Sequence, residues 1–178
     1  MRGAESLLIC VTGAECTGKT TLAEWLARYL DVPLVPEVAR EYLTGRDGYT
    51  REDVLAIGRL QEAAEQAALR DAPVAVADTD VTVIQVWWEV KYGSPDPWIV
   101  DAMARRSERR YLVPRPDIPW EADPLRESPR DRERLHERYL RLLGAGPYPF
   151  AEISGRGPIR MEHAAERVAQ WLRNAPCG

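Results

Sequence analysis

Residues 13 to 21 read Gly-Ala-Glu-Cys-Thr-Gly-Lys-Thr-Thr. Two glycines with four residues between them, followed by Lys19 and Thr20, are the residue types a polyphosphate requires. Gly13 and Gly18 permit backbone angles closed to other residues, so the loop can curl with its N–H groups turned inward. Ala14, Glu15, Cys16, Thr17 and Thr21 complete the run that would wrap the phosphates of ATP. Lys19 offers a compact ammonium to the β- and γ-phosphates, and the Thr20 hydroxyl is a ligand for Mg²⁺. Lysine occurs only at positions 19 and 91; every other basic side chain except the two histidines is arginine. An ammonium at position 19 runs against that habit, as a phosphate loop predicts.

Carboxylates are the next groups with a chemical use. Asp78 and Asp80 follow the small apolar run Val74–Ala77. An acid at a strand end beside a phosphate loop holds Mg²⁺, directly or through water, and Asp78 is assigned there. Asp80 has two readings, a catalytic or substrate contact in the cleft, or an N-cap for the helix that follows. Glu37 ends another short apolar run. It either accepts the proton of an attacking hydroxyl or pairs with Arg40 one helical turn on. Arg126, Arg130, Arg132 and Arg134 follow a proline-rich stretch. Arginines so placed can stabilise a transferring phosphoryl group or form surface pairs with Asp131, Glu133 and Glu137. Arg126 is the first choice for catalysis, and Arg130 is assigned to ATP. Trp88 and Tyr92 are four apart on a predicted helix and share a face, as either core or a stacking wall for a flat ring. His136 and His163 have no partner at a recognisable spacing and read as surface residues.

These residues need elements to position them. Leu7–Val11 reads as a buried strand, and Leu22, Trp25, Leu26 and Tyr29 have helical spacing, which brackets the glycine loop correctly. Further strands are expected at 32–35, 74–77, 110–113 and 150–153. Helices are expected at 38–43, 50–70, 82–92, 98–106, 130–143 and 161–173, the second opened by the capping box Thr50-Arg51-Glu52-Asp53. The irregular, arginine-bearing segment 114–134 reads as a lid. Strands alternate with helices, so the expected fold is α/β: three α/β/α layers around a five-stranded parallel sheet, in a single domain over 1–178. Ligands of such sheets bind at the carboxyl ends of the strands.

Composition sets outer bounds. The net charge of −4 gives no nucleic-acid footprint. No apolar run is long enough for a membrane span, and the N-terminus lacks a signal-peptide layout. Three scattered cysteines, Cys10, Cys16 and Cys177, form no metal motif, and a reducing cytoplasm is expected. Acidic residues outnumber basic ones through residue 104, and the balance reverses over 105–141. Such a run is either a solvated helix or a cover for polyphosphate. The composition is compatible with a homo-oligomer.

Five segments carry a family resemblance: the glycine loop, Pro36-Glu37-Val38-Ala39-Arg40-Glu41-Tyr42, Asp78-Thr79-Asp80, Lys91-Tyr92-Gly93 and Pro116-Asp117-Ile118-Pro119-Trp120-Glu121-Ala122-Asp123-Pro124-Leu125-Arg126. Together they resemble the ribosylnicotinamide kinase domain of the bacterial NAD-biosynthesis regulator, within the P-loop ATPase/kinase group built around it. The resemblance spans roughly Leu7 to Trp171. It implies ATP- and Mg²⁺-dependent phosphorylation of a nucleoside 5′-hydroxyl, typically that of nicotinamide riboside. The Pro-Glu-Val-Ala-Arg segment is also similar to deoxynucleoside kinases, which implies a base role for Glu37 and a substrate contact for Gln61. The regulator has DNA-binding and adenylyltransferase domains for which this chain has no residues, so a stand-alone kinase domain is expected. The regulator's kinase has an aromatic residue just before the Glu, where this chain has Pro36. An aromatic wall is therefore expected from Trp88, Tyr92 or Trp120. The rival class is a nucleotide-dependent switch or binding module, and a kinase for another nucleoside is a further alternative.

Overall fold

The computed structural model describes residues 6–120 and 131–173. Five strands, β1 (Leu7–Val11), β2 (Leu34–Val35), β3 (Val74–Asp78), β4 (Arg109–Pro114) and β5 (Phe150–Ile153), form one sheet in the order β2-β3-β1-β4-β5. Every pairing is parallel. The helices are α1 (Lys19–Leu30), α2 (Val38–Tyr42), α3 (Arg51–Asp71), α4 (Val81–Tyr92), α5 (Pro97–Ala104), α6 (Arg132–Gly144) and α7 (Pro158–Arg173).

Both faces of the sheet are covered, and β1 shows how alternation does it. Leu7, Ile9 and Val11 point to one side and pack on Leu22 and Leu26 of α1 and Ala164 and Val168 of α7. Leu8 points to the other side, beneath Ala64, Ala68 and Leu69 of α3. Cys10 shares that side with Val86 of α4 and Tyr139 and Leu143 of α6. Side chains that alternate along a strand with both faces apolar produce the continuous hydrophobic run seen in the sequence. Helices α3, α4 and α5 add their own cluster around Ile57, Ile84, Trp88 and Ile99. Gly58 lets α3 and α5 approach closely, because a Cβ there would lie 2.8 Å from the Trp98 ring.

Departures from expectation are small and have local causes. Strand β2 is only two residues long, since the Val32 N–H is taken by Ala27 O at the end of α1 and Pro33 has no N–H to give. Helix α7 begins at Pro158, three residues early, a residue suited to a first helical position. The capping box at Thr50 is formed, with the Thr50 side chain and Asp53 exchanging hydrogen bonds.

Candidate active site

The glycine loop joins β1 to α1 at the carboxyl edge of the sheet. Gly13 has φ 136° and Gly18 φ 76°, both in the region that favours glycine. The Thr17 hydroxyl donates to Ala14 O at 2.9 Å, and Lys19 Nζ donates to the same carbonyl at 2.9 Å. Thr20 and Thr21 lie exposed on the first turn of α1.

Asp78 closes β3 beside β1. Burial pushes its carboxyl up to about 6, opposed by a hydrogen bond from Thr20 and by Lys19, while Glu37 adds to the rise. Asp78 Oδ1 is buried and has no hydrogen-bond partner among the described residues. A threonine hydroxyl and a carboxylate with one unspent oxygen are the hard oxygen donors Mg²⁺ takes when phosphates and water complete its shell. No group of three or more His, Cys, Asp or Glu suited to a metal occurs among the described residues, so the protein supplies no closed metal cage there.

The backbone turns sharply after Asp78. Thr79 has φ 74°, an uncommon conformation for a threonine, and its N–H donates to Val11 O at 3.0 Å. That turn separates the two acids. Asp80 goes down into the fold, where its Oδ1 accepts the Thr82 N–H at 2.9 Å. Its Oδ2 accepts Arg109 Nη1 and the Tyr111 hydroxyl, each at 2.7 Å. The Asp80 side chain is 0% exposed. The catalytic and substrate roles expected for Asp80 are therefore corrected: it caps α4 and pairs with Arg109.

A cleft of about 520 Å³ opens from the loop. Gly13, Ala14, Glu15 and Lys19 line one end with Glu37 and Arg40, which form an ion pair at 3.7 Å. The rest of the lining includes the apolar and aromatic side chains of Tyr49, Val83, Val86, Trp87, Leu135 and Tyr139. Tyr49 and Trp87 meet edge to face at 4.6 Å, and Trp87 Nε1 donates to the Tyr49 hydroxyl at 2.7 Å. Lys91 Nζ sits 3.7 Å from the centre of the Tyr49 ring.

The expected aromatic wall is thus built from different residues. Trp88 and Tyr92 do touch, at 4.9 Å, but they pack into the α3–α5 cluster and do not line the cleft. Trp120 lies instead beside Arg132, 5.8 Å from ring centre to guanidinium. Gln61 is buried in α3 and accepts the Val38 N–H at 3.0 Å, which steadies the start of α2 behind Glu37 and keeps Gln61 out of the cleft lining. Arg126 and Arg130 lie outside the described residues. His136, expected on the surface, is buried and joined to Glu152 at 2.5 Å.

Two further arginines reach the loop from outside. Arg132 Nη1 donates to Cys16 O at 3.2 Å and to Ile118 O at 2.9 Å. Arg160 of α7 donates to Thr17 O. No periodicity marks either as different from a surface arginine, because both contacts are distant in sequence.

An all-parallel sheet with this loop after its central strand and an acid closing the next strand defines a P-loop kinase-like fold. The chain belongs to the AAA domain family, which matches residues 8–160. Among solved structures it is similar to NadR protein in complex with NR, with TM-score 0.81 and 24% identity over 96% of this chain and 52% of that one. It is also similar to NadR protein in complex with NAD and AMP-PNP, with TM-score 0.75 and 25% identity over 93% and 49%. Thymidylate kinase from Ehrlichia chaffeensis shares the fold, with TM-score 0.67 and 15% identity over 94% and 99%. The chain spans about half the length of the NadR chains. No curated protein matches it. No helix among the described residues is long and apolar enough to cross a membrane.

Proposed function

We propose that this protein is an ATP·Mg²⁺-dependent kinase that phosphorylates a hydroxyl of a nucleoside-like acceptor, with nicotinamide riboside the first candidate. One observation carries the reading. The Thr20–Asp78 hydrogen bond, with its unspent carboxylate oxygen, lies beside Lys19 and Glu37, which line a cleft that also has aromatic walls. Donor chemistry, a base and a place for a flat ring are thus continuous. The NadR structures that hold NR, NAD and AMP-PNP support the same class of ligands.

The loop N–H groups and Lys19 bind the polyphosphate. Thr20 and Asp78 would hold Mg²⁺, which neutralises phosphate charge when bound. Glu37 takes the acceptor hydroxyl's proton, and Arg40 orients it. Tyr49 and Trp87 hold the acceptor ring, and a cationic ring such as nicotinamide's gains further from aromatic faces. Arg126 and Arg130, which lie outside the described residues, are assigned to the transferring phosphoryl group and to ATP respectively. Cys10 and Cys16 are both buried thiols, which suits a reducing cytoplasm.

Glu37→Gln tests this reading. It keeps size and hydrogen bonding and removes basicity. Acceptor-dependent ADP formation is expected to fall by ~10²–10⁴-fold while ATP binding and melting temperature hold, the range a positioned base contributes. Undiminished ADP formation in a stable variant would remove Glu37 as base. A silent variant with no acceptor-dependent ADP formation even in wild type would favour a nucleotide switch.

A further inference from the structure

The phosphate loop is held from behind by a buried arginine. Arg160 lies on the first turn of α7, and its side chain is 4% exposed. Its guanidinium reaches three separate segments. Nη1 donates to Thr17 O of the glycine loop. Nη2 donates to Arg115 O at 3.1 Å and to Asp117 Oδ1, just past β4. Nε donates to Gly155 O at 2.7 Å in the turn after β5. Asp117 is itself fixed, since its Oδ2 accepts the Gly155 N–H at 2.8 Å.

Thr17 O and the Gly18 N–H belong to one peptide unit, which is planar and trans, so they point in opposite directions. Holding that carbonyl outward holds the next N–H inward. The Cys16 carbonyl, held by Arg132, constrains the Thr17 N–H in the same way. A flexible loop must otherwise order itself when phosphate binds, and preorganised donors avoid that cost. Every nitrogen of the guanidinium donates, and its Nη1 packs 3.4 Å from where a Cβ on Gly18 would stand.

We propose that Arg160, seated by Asp117, is a positioning residue for the phosphoryl donor: it orients the Thr17–Gly18 peptide so that the loop is set to receive polyphosphate. This rests on the reading of Gly13–Thr20 as the donor site, and it adds a residue that never touches the donor itself. A lysine is a poor substitute, because one ammonium cannot reproduce a planar fork serving three segments.

The test uses direct binding, with no acceptor present. Wild type and Arg160→Met are titrated with AMP-PNP·Mg²⁺ and, separately, with inorganic tripolyphosphate·Mg²⁺. Both ligands are expected to bind the variant about ten-fold more weakly, the scale of one lost charge-assisted hydrogen-bond set, with Arg160→Lys recovering only part of the affinity. Unchanged affinity for both overturns the proposal. So does loss of AMP-PNP affinity with tripolyphosphate unaffected, which would put the effect on the base side of the site. If Arg160→Met does not fold, Asp117→Asn decides in the same assays: weaker binding of both ligands by a few-fold supports the proposal, and wild-type affinity overturns it. Failure of wild type to bind either ligand would instead overturn the donor-site reading on which the proposal rests.

Discussion

At Asp80, burial works to raise the carboxyl's pKa, yet Arg109 and Arg106, with hydrogen bonds from Tyr111 and Thr82, hold it below the ordinary range. At Asp78, two residues earlier, burial outweighs the Thr20 hydrogen bond and the Lys19 and Arg40 charges, and the carboxyl rises. The same side chain therefore serves as a buried ion-pair member in one place and an available metal ligand in the other. Glu65 of α3 shares Arg109 with Asp80, 3.4 Å from its Nη1. One guanidinium does not satisfy two buried acids. Burial, then the Asp80 charge, push Glu65 up to about 8, with Arg109 pulling the other way. The sign for stability follows from linkage. Below pH 4.5, the ordinary value, both folded and unfolded Glu65 are protonated and its contribution is intact. Between there and about 8 the unfolded chain gives up a proton the folded chain keeps, so stability falls as pH rises, by up to ~1.4 kcal/mol per pH unit. Glu65→Gln removes that proton and keeps a carbonyl for Arg109. Urea unfolding across this window is expected to give a shallower decline for the variant, and parallel profiles would show that Glu65 is ionised in the folded state.

At the scale of elements, the five strands and seven helices among the described residues are legible in residue periodicity, through apolar faces or runs bounded by caps and breakers. What periodicity does not encode is which apolar face of a helix meets core and which meets a cavity. Helix α4 buries Ile84 and Trp88 toward α3 and α5 and turns Val83, Val86, Trp87 and Val90 to the cleft. Trp87 thus reaches both the α3–α5 cluster and the cleft, whereas Trp88 and its i, i+4 partner Tyr92 lie in the cluster and do not line the cleft. The glycine loop and Asp78 were readable because local spacing defines them. Tyr49 and Arg160 were not, and Arg132 was not separable from its neighbouring arginines, because long-range contacts place them. The N-terminus of α3 gives Tyr49 its place. Asp53 accepts the Thr50 N–H and hydroxyl, the Tyr42 hydroxyl and Arg46 Nη1, so one carboxylate ties down both ends of the segment between α2 and α3. These bonds hold the Asp53 carboxyl below its ordinary range. Asp53→Ala is expected to raise the acceptor KM by about ten-fold while the ATP KM stays put, since the loosened segment carries Tyr49 of the aromatic lining proposed for the acceptor. Steady-state kinetics with each substrate varied in turn measure it; an equal rise in both constants would mean that the whole domain has loosened.

Across the whole molecule, the sheet order sets a division of labour. Strand β1 is central, and its loop meets Glu37 and Asp78 on the β3–β2 side and the Arg115–Trp120 segment and α7 on the β4–β5 side. The cleft proposed for the acceptor lies on the face of the sheet covered by α4 and α6, whereas Arg160 reaches the loop from the face covered by α1 and α7. Donor and acceptor should then be able to bind at once, each stabilising the native state by mass action. A ligand at a hundred times its Kd adds about 2.7 kcal/mol, which for a domain of this size corresponds to roughly 5–11 °C in Tm. AMP-PNP·Mg²⁺ alone is expected to give a shift in that range. Nicotinamide riboside added to the AMP-PNP complex is expected to raise Tm again, and more than thymidine or uridine at equal concentration. A second shift reports an acceptor site that coexists with the donor, which a one-ligand switch does not have. If AMP-PNP shifts Tm and no nucleoside adds to it, the acceptor assignment fails while the donor site stands. If thymidine adds and nicotinamide riboside does not, the Tyr49–Trp87 end selects a neutral base, and the kinase belongs to another nucleoside.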